Sequence, residues 1–564
     1  MRSKTAIAIA VLAAAWVGAI TARLIYPEIL PVLDVLTIVF YLMIAVTLIA
    51  VMRNMIGLVT YGVFGPAIIS IGLNRIGSLY WGLIAVAAVL GVGILMRFAL
   101  EPLKLQMTHR LAIVVTTLSF TIGVIALVAA KTGNVSLSYI DFIPILISSW
   151  IAERFVRDRQ ESGVGVSLQR LANTLVAVVV SFLLLSWHPI VDSFIHTPEL
   201  WIVPIAVNLL LGSSVRIRLS ERLRFKGIAE PSSSWGDYSK ILTLNLRGMD
   251  YIEKYNPRAV YQSITKLSMK NLLSKLGLPV PAVFATFSSI EDVRNLERVL
   301  DRLPKDRGFA LKPDNGFGGR GILVVKRWDT QGFEKTDGSR ITWGDLRKHI
   351  QEIVDGEFSG RWLPDKAFLE ELVTPHPDIA RLSVSGLPDV RVIVFRGVPV
   401  MAMSRLPTKR SGGKANLFQG AVGAGVNVKT GKVESAVVGH KRKSIRRHPD
   451  TNLELVGQKI PFWQEILDLS VKAQMASGLG YAGVDIVLSD ARGPLIMEVN
   501  KRPGLEIQNA NRRPLLVRLR AVESSLDEGV ELSVDEGIEL MKRLESVNWI
   551  IRKARPNKKG GAML

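Results

Sequence analysis

The chain has 564 residues, no cysteine and a formal net charge of +21. Without cysteine, disulfides, zinc–thiolate sites and cysteine nucleophiles are excluded. The length exceeds that of one ordinary domain, and long apolar runs are concentrated in residues 1–215. The charge is +8 over residues 1–226 and +13 over the remainder. Beside a membrane domain, this excess favours an anionic membrane surface or anionic substrates, and we expect no nucleic-acid partner.

Residues 1–215 are predicted to form an all-α membrane domain of about eight helices, because most of the apolar runs approach the roughly 20 residues that cross a bilayer. The predicted spans are Thr5–Ala22, Val32–Met52, Ile56–Leu73, Leu79–Phe98, Leu111–Ala130, Ser138–Ala152, Leu171–Trp187 and Leu200–Leu211. The first span resembles a signal peptide, but further spans follow at once, so we expect an uncleaved anchor.

The basic residues between the spans predict the orientation. With the N-terminus inside, 15 of them are cytoplasmic and only Arg23, Arg75 and Lys131 face outwards. This is a positive-inside pattern, and an even number of spans returns the chain to the cytoplasm. We therefore expect a multi-pass protein of the plasma (bacterial inner) membrane, with both termini and the soluble half in the cytoplasm.

The soluble half begins after a basic juxtamembrane linker, residues 216–249, which is suited to lie along an anionic leaflet. An α+β domain is predicted over residues 250–522, followed by a C-terminal helix and basic tail over 523–564. The predicted helices are Ser263–Leu276, Ile290–Leu300 and Phe462–Leu479, and the predicted strands include Val283–Phe287, Phe309–Pro313, Ile322–Lys326, Pro388–Phe395 and Val398–Met403.

The stretch from Tyr481 to Gly504 predicts a hairpin with acidic residues on one face. Polar turn residues separate two apolar strands, and the register about the turn places Asp485 opposite Glu498, with Asn500 on the same face. Two facing carboxylates repel each other unless a cation lies between them. Asp, Glu and Asn oxygens are the ligands that Mg²⁺ takes beside nucleotide phosphates. The alternative is a solvated hairpin with two exposed acids.

A glycine-rich loop follows the strand that ends in Lys312. Gly316, Gly318 and Gly321 formally satisfy G-x-G-x-x-G, but a dinucleotide fold requires a helix after the loop, and here a strand follows. A glycine-rich hairpin can close its backbone amides over phosphates, with Lys312 meeting their charge. The alternative is a flexible surface hairpin.

Lys366–Val373 is an apolar strand interrupted by Glu370 and Glu371. Such a strand suits a nucleotide hinge, which offers backbone groups to adenine and an acid to the ribose. An edge strand with two solvated acids explains the pattern equally well.

Taken together, these residues resemble the ATP-grasp superfamily, and the alpha-L-glutamate ligase-like branch in particular. The resemblance covers about residues 250–522 and rests on GLPDVRVIVFRGVPVMAMSRLPT, KANLFQGAVGAGV, HPDT, GYAGVDIVL and EVNKRPGLEIQNAN. The membrane half resembles the seven-helix module found with inactive transglutaminase-like domains. One departure is Phe418, which stands where this branch has a histidine.

The resemblance implies ATP and one or two Mg²⁺ ions as cofactors, with Mn²⁺ as an alternative ion. The implied metal ligands are Asp485, Glu498 and Asn500. The implied nucleotide-binding residues are Lys266, Lys312, Gly316, Gly318, Gly319, Gly321, Glu370, Glu371 and Val373. The residues implied to face the acceptor carboxylate and the acylphosphate are Arg391, Arg405 and Arg502.

The activity implied is that of a membrane-anchored, ADP-forming carboxylate–amine ligase that modifies an amino acid or peptide through an acylphosphate. Its partners would be ATP, carboxylate and amine substrates, the bilayer, and a companion peptidase or transglutaminase-like membrane protein. Two alternatives stay open: a transporter or receptor with a nucleotide-sensing domain, and an ATP-grasp kinase of small molecules.

Overall fold

The structure is a computed structural model that describes residues 9–18, 20–21, 33–100, 107–133, 142–162, 164–228, 237–303, 308–316, 318–359, 363–384 and 386–548. The chain divides into two compact units, Met1–Leu223 and Arg224–Leu564. Parts of the predicted spans, linker and tail lie outside the described residues: 5–8, 19 and 22 of the first span, 32 of the second, 138–141 of the sixth, 229–236 of the linker and 549–564 of the tail.

The described part of the N-terminal unit is helical. Its helices are Ile9–Gly18, Leu33–Val51, Phe64–Ile76, Leu79–Ala99, Met107–Thr132, Phe142–Ser162, Val164–Leu185, His188–His196 and Ile202–Ser214, and a short helix follows at Leu219–Arg224. Five helical stretches of the described residues are long and apolar enough to cross a membrane: Thr37–Ile56, Leu79–Ala99, Ala112–Thr132, Val164–Leu185 and Glu199–Arg224. This is the composition of a membrane protein, while the predicted count of about eight spans stays a prediction.

The predicted third span, Ile56–Leu73, is wrong over residues 57–63, which lie between a short π-helix that ends at Ile56 and the helix that begins at Phe64. The helix begins only at Phe64, because Gly57 and Gly62 adopt φ of +90° and +78°, which a right-handed helix does not accommodate. The guanidinium of Arg53 donates to the carbonyl oxygens of Thr60 at 3.1 Å and Gly62 at 2.9 Å. These hydrogen bonds satisfy backbone groups that no helix pairs.

A buried ion pair joins two helices of this unit. Arg97 Nε lies 2.7 Å from Glu153 Oε2, and both side chains are almost fully buried. Arg157, one turn beyond Glu153, lies 3.5 Å from the other carboxylate oxygen. Removing one member of such a pair leaves a buried charge uncompensated, so we assign these residues to the packing of the helices.

The C-terminal unit contains two antiparallel sheets. The strands of the first are β1 (Val283–Phe287), β2 (Phe309–Pro313), β3 (Leu323–Asp329), β4 (Gly332–Lys335), β5 (Arg340–Ile341) and β6 (Ala367–Glu371). The strands of the second are β7 (Asp389–Phe395), β8 (Val398–Leu406), β9 (Val422–Val426), β10 (Val433–Val438), β11 (Lys443–Ile445), β12 (Tyr481–Ser489) and β13 (Gly493–Asn500). The strand orders are β1-β6-β2-β3-β4-β5 and β11-β10-β9-β8-β7-β12-β13.

Helices pack against both sheets, and each sheet has its own apolar core. The helices of this unit are Leu244–Leu246, Glu253–Tyr255, Arg258–Ser263, Lys266–Lys275, Ile290–Arg294, Leu296–Leu300, Trp343–Val354, Pro377–Ala380, Trp463–Ala476, Glu506–Asn511, Leu515–Ser525 and Val534–Ser546. The prediction of a single helix over Ile290–Leu300 is wrong, because the chain leaves helical geometry at Asn295 (φ −85°, ψ 5°) and starts a second helix there.

A buried carboxylate ties the edge of the second sheet to the helix Glu506–Asn511. Glu506 accepts two hydrogen bonds of 2.8 Å from Arg442, one of 3.0 Å from Arg224 and one of 2.7 Å from Asn509. Burial alone would raise the pKa of Glu506, but these donors outweigh it and lower the pKa below its ordinary value.

We expect Glu506→Gln to lower the free energy of unfolding by about 3 kcal/mol at pH 7, because two arginines lose a buried partner. Since the folded-state pKa of Glu506 is lowered, its contribution is complete above the ordinary pKa of 4.5 and is lost as the pH falls below it. Urea unfolding of the wild type and of Glu506→Gln at pH 7 and pH 4 measures the difference in their free energies of unfolding. A difference that does not shrink at pH 4 would contradict the assignment.

Candidate nucleotide and metal site

Four neighbouring strands of the second sheet place charged residues opposite one another. Asp389 on β7 is paired with Arg405 on β8, Arg391 on β7 with Asp485 on β12, and Asp485 with Glu498 on β13. The hairpin register predicted from the turn is therefore confirmed. We call these five residues the charged ladder.

Hydrogen bonds join the members of the charged ladder. Arg391 donates two hydrogen bonds of 2.7 Å to the two carboxylate oxygens of Asp485. Arg405 donates one of 2.8 Å to Asp485 and one of 2.6 Å to Asp389. The Asn500 amide nitrogen lies 2.9 Å from Asp485 Oδ2. The structure thus brings the predicted residues Asp485, Asn500, Arg391 and Arg405 into direct contact.

Burial and the two arginines set the charge of the acids. Burial would raise the pKa of Asp485, which is 3% exposed, but Arg391 and Arg405 outweigh it and lower the pKa. Burial raises the pKa of Asp389 to about 6, helped by the charge of Asp485 and opposed by Arg405. Asp485 is therefore held as the anion at neutral pH.

The remaining donors fit a hard divalent cation. Glu498 is half-buried and accepts no hydrogen bond from any described residue. The Asn500 amide nitrogen faces Asp485, which leaves its carbonyl oxygen for a ligand. Oxygen donors of this kind suit Mg²⁺. The described residues contain no group of three or more His, Cys, Asp or Glu that could hold a metal, and the predicted set has two carboxylates and one amide.

Three lysines lie near the first sheet. Lys266 donates to the carbonyl oxygen of Gly316, at the base of the glycine loop. Lys312, at the end of β2, forms an ion pair with Glu370 and lies 3.4 Å from Met497 Sδ, beside Glu498. Two predicted phosphate ligands, Lys266 and Lys312, thus border the loop and β13.

The third lysine is Lys270, which the sequence analysis does not place in the site. Its Nζ lies 2.8 Å from Glu370 Oε2. Lys270 lies one turn after Lys266 in the helix Lys266–Lys275, and residues four apart share a helix face. That spacing was the signal available in the sequence.

The glycine loop joins two antiparallel strands, β2 and β3, as predicted. Phe317 lies outside the described residues. Gly318, Gly319 and Gly321 have φ of +65°, +77° and +68°, a conformation that side chains disfavour. A Cβ on Gly318 or Gly319 would meet nothing within 4 Å, whereas one on Gly321 would lie 2.7 Å from the ring of Phe358.

These glycines provide a matched pair of substitutions. Gly318→Ala should lower the free energy of unfolding by about 1 kcal/mol, through left-handed strain alone. Gly321→Ala has the same strain and a clash with Phe358, so we expect a loss of about 2–4 kcal/mol. Proteolysis of the full-length protein across a urea series compares them. Equal losses would contradict the clash.

The predicted hinge residues are held by ion pairs, a hydrogen bond and apolar packing. Glu371 accepts from the Ala282 amide at 3.1 Å and forms an ion pair with Arg492 in the β12–β13 turn. Val373 is buried with Val487 and Leu495. The carboxylate of Glu370 forms ion pairs with Lys270 and Lys312. Roles of Glu370, Glu371 and Val373 at adenine and ribose stay predictions.

Arg502 is exposed on the loop that follows β13, and its neighbours fix that loop. Lys501 Nζ donates to the carbonyl oxygens of Tyr261 and Ile264, both at 2.8 Å, and buried Arg247 donates to that of Pro503 at 2.5 Å. No pattern in the sequence signals Arg247.

Phe418 lies outside this group. It is 49% exposed, and the guanidinium of Arg224 lies 5.9 Å from its ring.

Comparison with known proteins finds two family models that match this chain. Residues 246–524 match the family model described as sugar-transfer associated ATP-grasp, and residues 25–229 match that of seven transmembrane helices usually fused to an inactive transglutaminase. The C-terminal unit is thus an ATP-grasp domain, and the N-terminal unit is similar to a seven-helix membrane module.

The individual relatives cover only part of the chain. A probable alpha-L-glutamate ligase of Aliivibrio salmonicida is 26% identical over 253 residues, 44% of this chain and 58% of that protein. A ribosomal protein bS6–L-glutamate ligase of Salmonella paratyphi B is 62% identical over 39 residues, 7% of this chain and 13% of that protein. The chain therefore spans little more than half of the length of the Aliivibrio protein.

Among solved structures, the ATP-grasp ligase PsnB with precursor peptide PsnA2 and AMPPNP is 18% identical. The matched region covers 46% of this chain and 55% of the PsnB chain, with a TM-score of 0.23.

Proposed function

We propose that the chain is a membrane-anchored, ATP-dependent carboxylate–amine ligase that acts on an amino acid or peptide. One observation carries the proposal. The charged ladder and Asn500 combine oxygen donors for a divalent cation with two arginines on one sheet of an ATP-grasp domain. Relatives named glutamate ligases support the same activity.

In the proposed reaction a substrate carboxylate oxygen attacks the γ-phosphorus of ATP, and the bond to ADP breaks to give an acylphosphate. An amine nitrogen then attacks the acyl carbon, phosphate leaves with the bonding electrons, and the amine loses a proton to give the amide. Mg²⁺ bound by Asp485, Glu498 and Asn500 would neutralise the charge of the two anionic reactants.

The chain's own residues would bind and shield the reactants. Lys266 and Lys312 would bind the phosphates, and the arginines Arg391, Arg405 and Arg502 would face the carboxylate and the acylphosphate. Closure of the glycine loop would exclude water, which would otherwise hydrolyse the acylphosphate.

The surroundings of the reaction belong to the same proposal. The ATP-grasp domain would lie on the cytoplasmic side of the plasma membrane. Because the membrane module resembles one usually fused to an inactive transglutaminase, a separate transglutaminase-like or peptidase membrane protein is the partner that we propose.

Purified full-length protein in detergent, supplied with ATP, Mg²⁺ and mixtures of amino acids and peptides, tests the activity. Phosphate release that requires both a carboxylate and an amine is the expected result. A stable phosphorylated product would instead indicate a kinase, and nucleotide binding without turnover would indicate a sensor. Either of these outcomes overturns the ligase proposal.

A further inference from the structure

Glu370 is a buried acid with two basic partners. It lies on β6, in the middle of the first sheet between β1 and β2, and is 1% exposed. One carboxylate oxygen pairs with Lys312, and the other lies 2.8 Å from Lys270. Burial would raise the pKa of Glu370, but the two lysines outweigh it and lower the pKa. Glu370 is therefore an anion that needs a cation beside it.

The two lysines differ in what else they can reach. Lys312 keeps some solvent exposure and lies against Met497, next to the proposed metal ligand Glu498. Lys270 is 4% exposed and is held on a helix whose first turn is fixed by a capping box between Thr265 and Ser268. The partial exposure of Lys312 would let it turn towards a bound polyphosphate, whereas buried Lys270, whose charge interacts with those of Glu370 and Glu498, would stay in place.

We propose that Lys270 is a positioning residue for nucleotide binding, which neutralises Glu370 so that Lys312 is released to the phosphates of ATP. The inference rests on the proposed function, since it assigns Lys312 to those phosphates. Without Lys270, Glu370 and Lys312 form a one-to-one buried ion pair. Breaking that pair leaves a carboxylate uncompensated, so ATP must compete with Glu370 for Lys312.

The test measures the binding of AMPPNP to the full-length protein in detergent with Mg²⁺. We expect Lys270→Met to weaken binding by at least about tenfold, because Lys312 is retained by Glu370. The double variant Lys270→Met, Glu370→Gln should bind within about threefold of the single variant Glu370→Gln, since neither retains the competing charge. Lys275→Met, on the exposed end of the same helix, should leave binding unchanged.

A structural role and a positioning role predict different results, because a structural defect caused by the loss of Lys270 would persist when Glu370 is already neutral. If Lys270→Met does not fold, comparison of the double variant with Glu370→Gln still decides the question. Wild-type affinity in Lys270→Met, or a double variant that binds more than about threefold more weakly than Glu370→Gln, overturns the inference and leaves the proposed function intact. A wild-type protein that binds no AMPPNP overturns both.

Discussion

Replacing Glu498 with glutamine should lower the rate of ATP-dependent amide formation by at least about 100-fold, because the proposed cation loses a charged ligand. The fold should be unaffected. Glu498 accepts no hydrogen bond from a described residue, so its neutral replacement breaks no hydrogen bond of the charged ladder. Phosphate release measured over a Mg²⁺ series gives both the rate and its dependence on the ion.

The control for this variant is Glu539→Gln, whose side chain is 75% exposed on the helix Val534–Ser546. It removes one negative charge from the same unit and should keep the wild-type rate. A Glu498→Gln protein with full activity would exclude Glu498 as a ligand. A loss of activity accompanied by unfolding would make the residue structural.

Asp485→Ala removes another proposed metal ligand and, unlike Glu498→Gln, should also cause a large loss of stability. Its carboxylate accepts from Arg391, Arg405 and Asn500 in a buried setting, and removing it leaves two guanidinium groups without their partner. Breaking a buried ion pair from one side costs about 3–5 kcal/mol. We therefore expect the free energy of unfolding of the ATP-grasp unit to fall by that amount.

Pulse proteolysis of the full-length protein in urea measures this loss. Asp490→Ala, in the exposed turn of the same hairpin, is the matched control and should change stability by less than about 0.5 kcal/mol. Equal stability of the two variants would mean that the arginines find other partners. Because the folded state lowers the pKa of Asp485, folding in acid must remove a proton from it. The contribution of this residue to stability is therefore complete above its ordinary pKa and is lost as the pH falls through the lowered pKa of the folded state.

Local patterns predicted the elements that depend on neighbours in sequence. The bounds of β1 and β2 follow from apolar runs between turn residues, and both agree with the structure. The pairing of Asp485 with Glu498 was predicted from the short turn, and in the structure it also depends on a one-residue shift of register between Asp485 and Ile486. The prediction of one helix over Ile290–Leu300 was wrong because the helix is interrupted at a single residue, Asn295, and the composition of the segment does not reveal the interruption.

The contacts between distant segments could not be predicted in the same way. Alternation along β7 places Asp389 and Arg391 on one face, but their contact with Asp485 requires β7 to lie beside β12. No period in the sequence specifies that order of strands. Likewise, the spacing of Lys266 and Lys270 indicates a shared helix face but does not identify Glu370 as the acid it meets.

The alternation of side chains along β12 also limits where the chain can change in length. One residue inserted within β12 before Asp485 would turn its carboxylate to the other face of the sheet. An insertion at Asp490, in the turn, leaves the side chains of both strands on their present faces of the sheet. Length variation in related proteins should therefore fall in the turns of this sheet, and the same turns are where a peptide tag can be inserted while the ligands keep their partners.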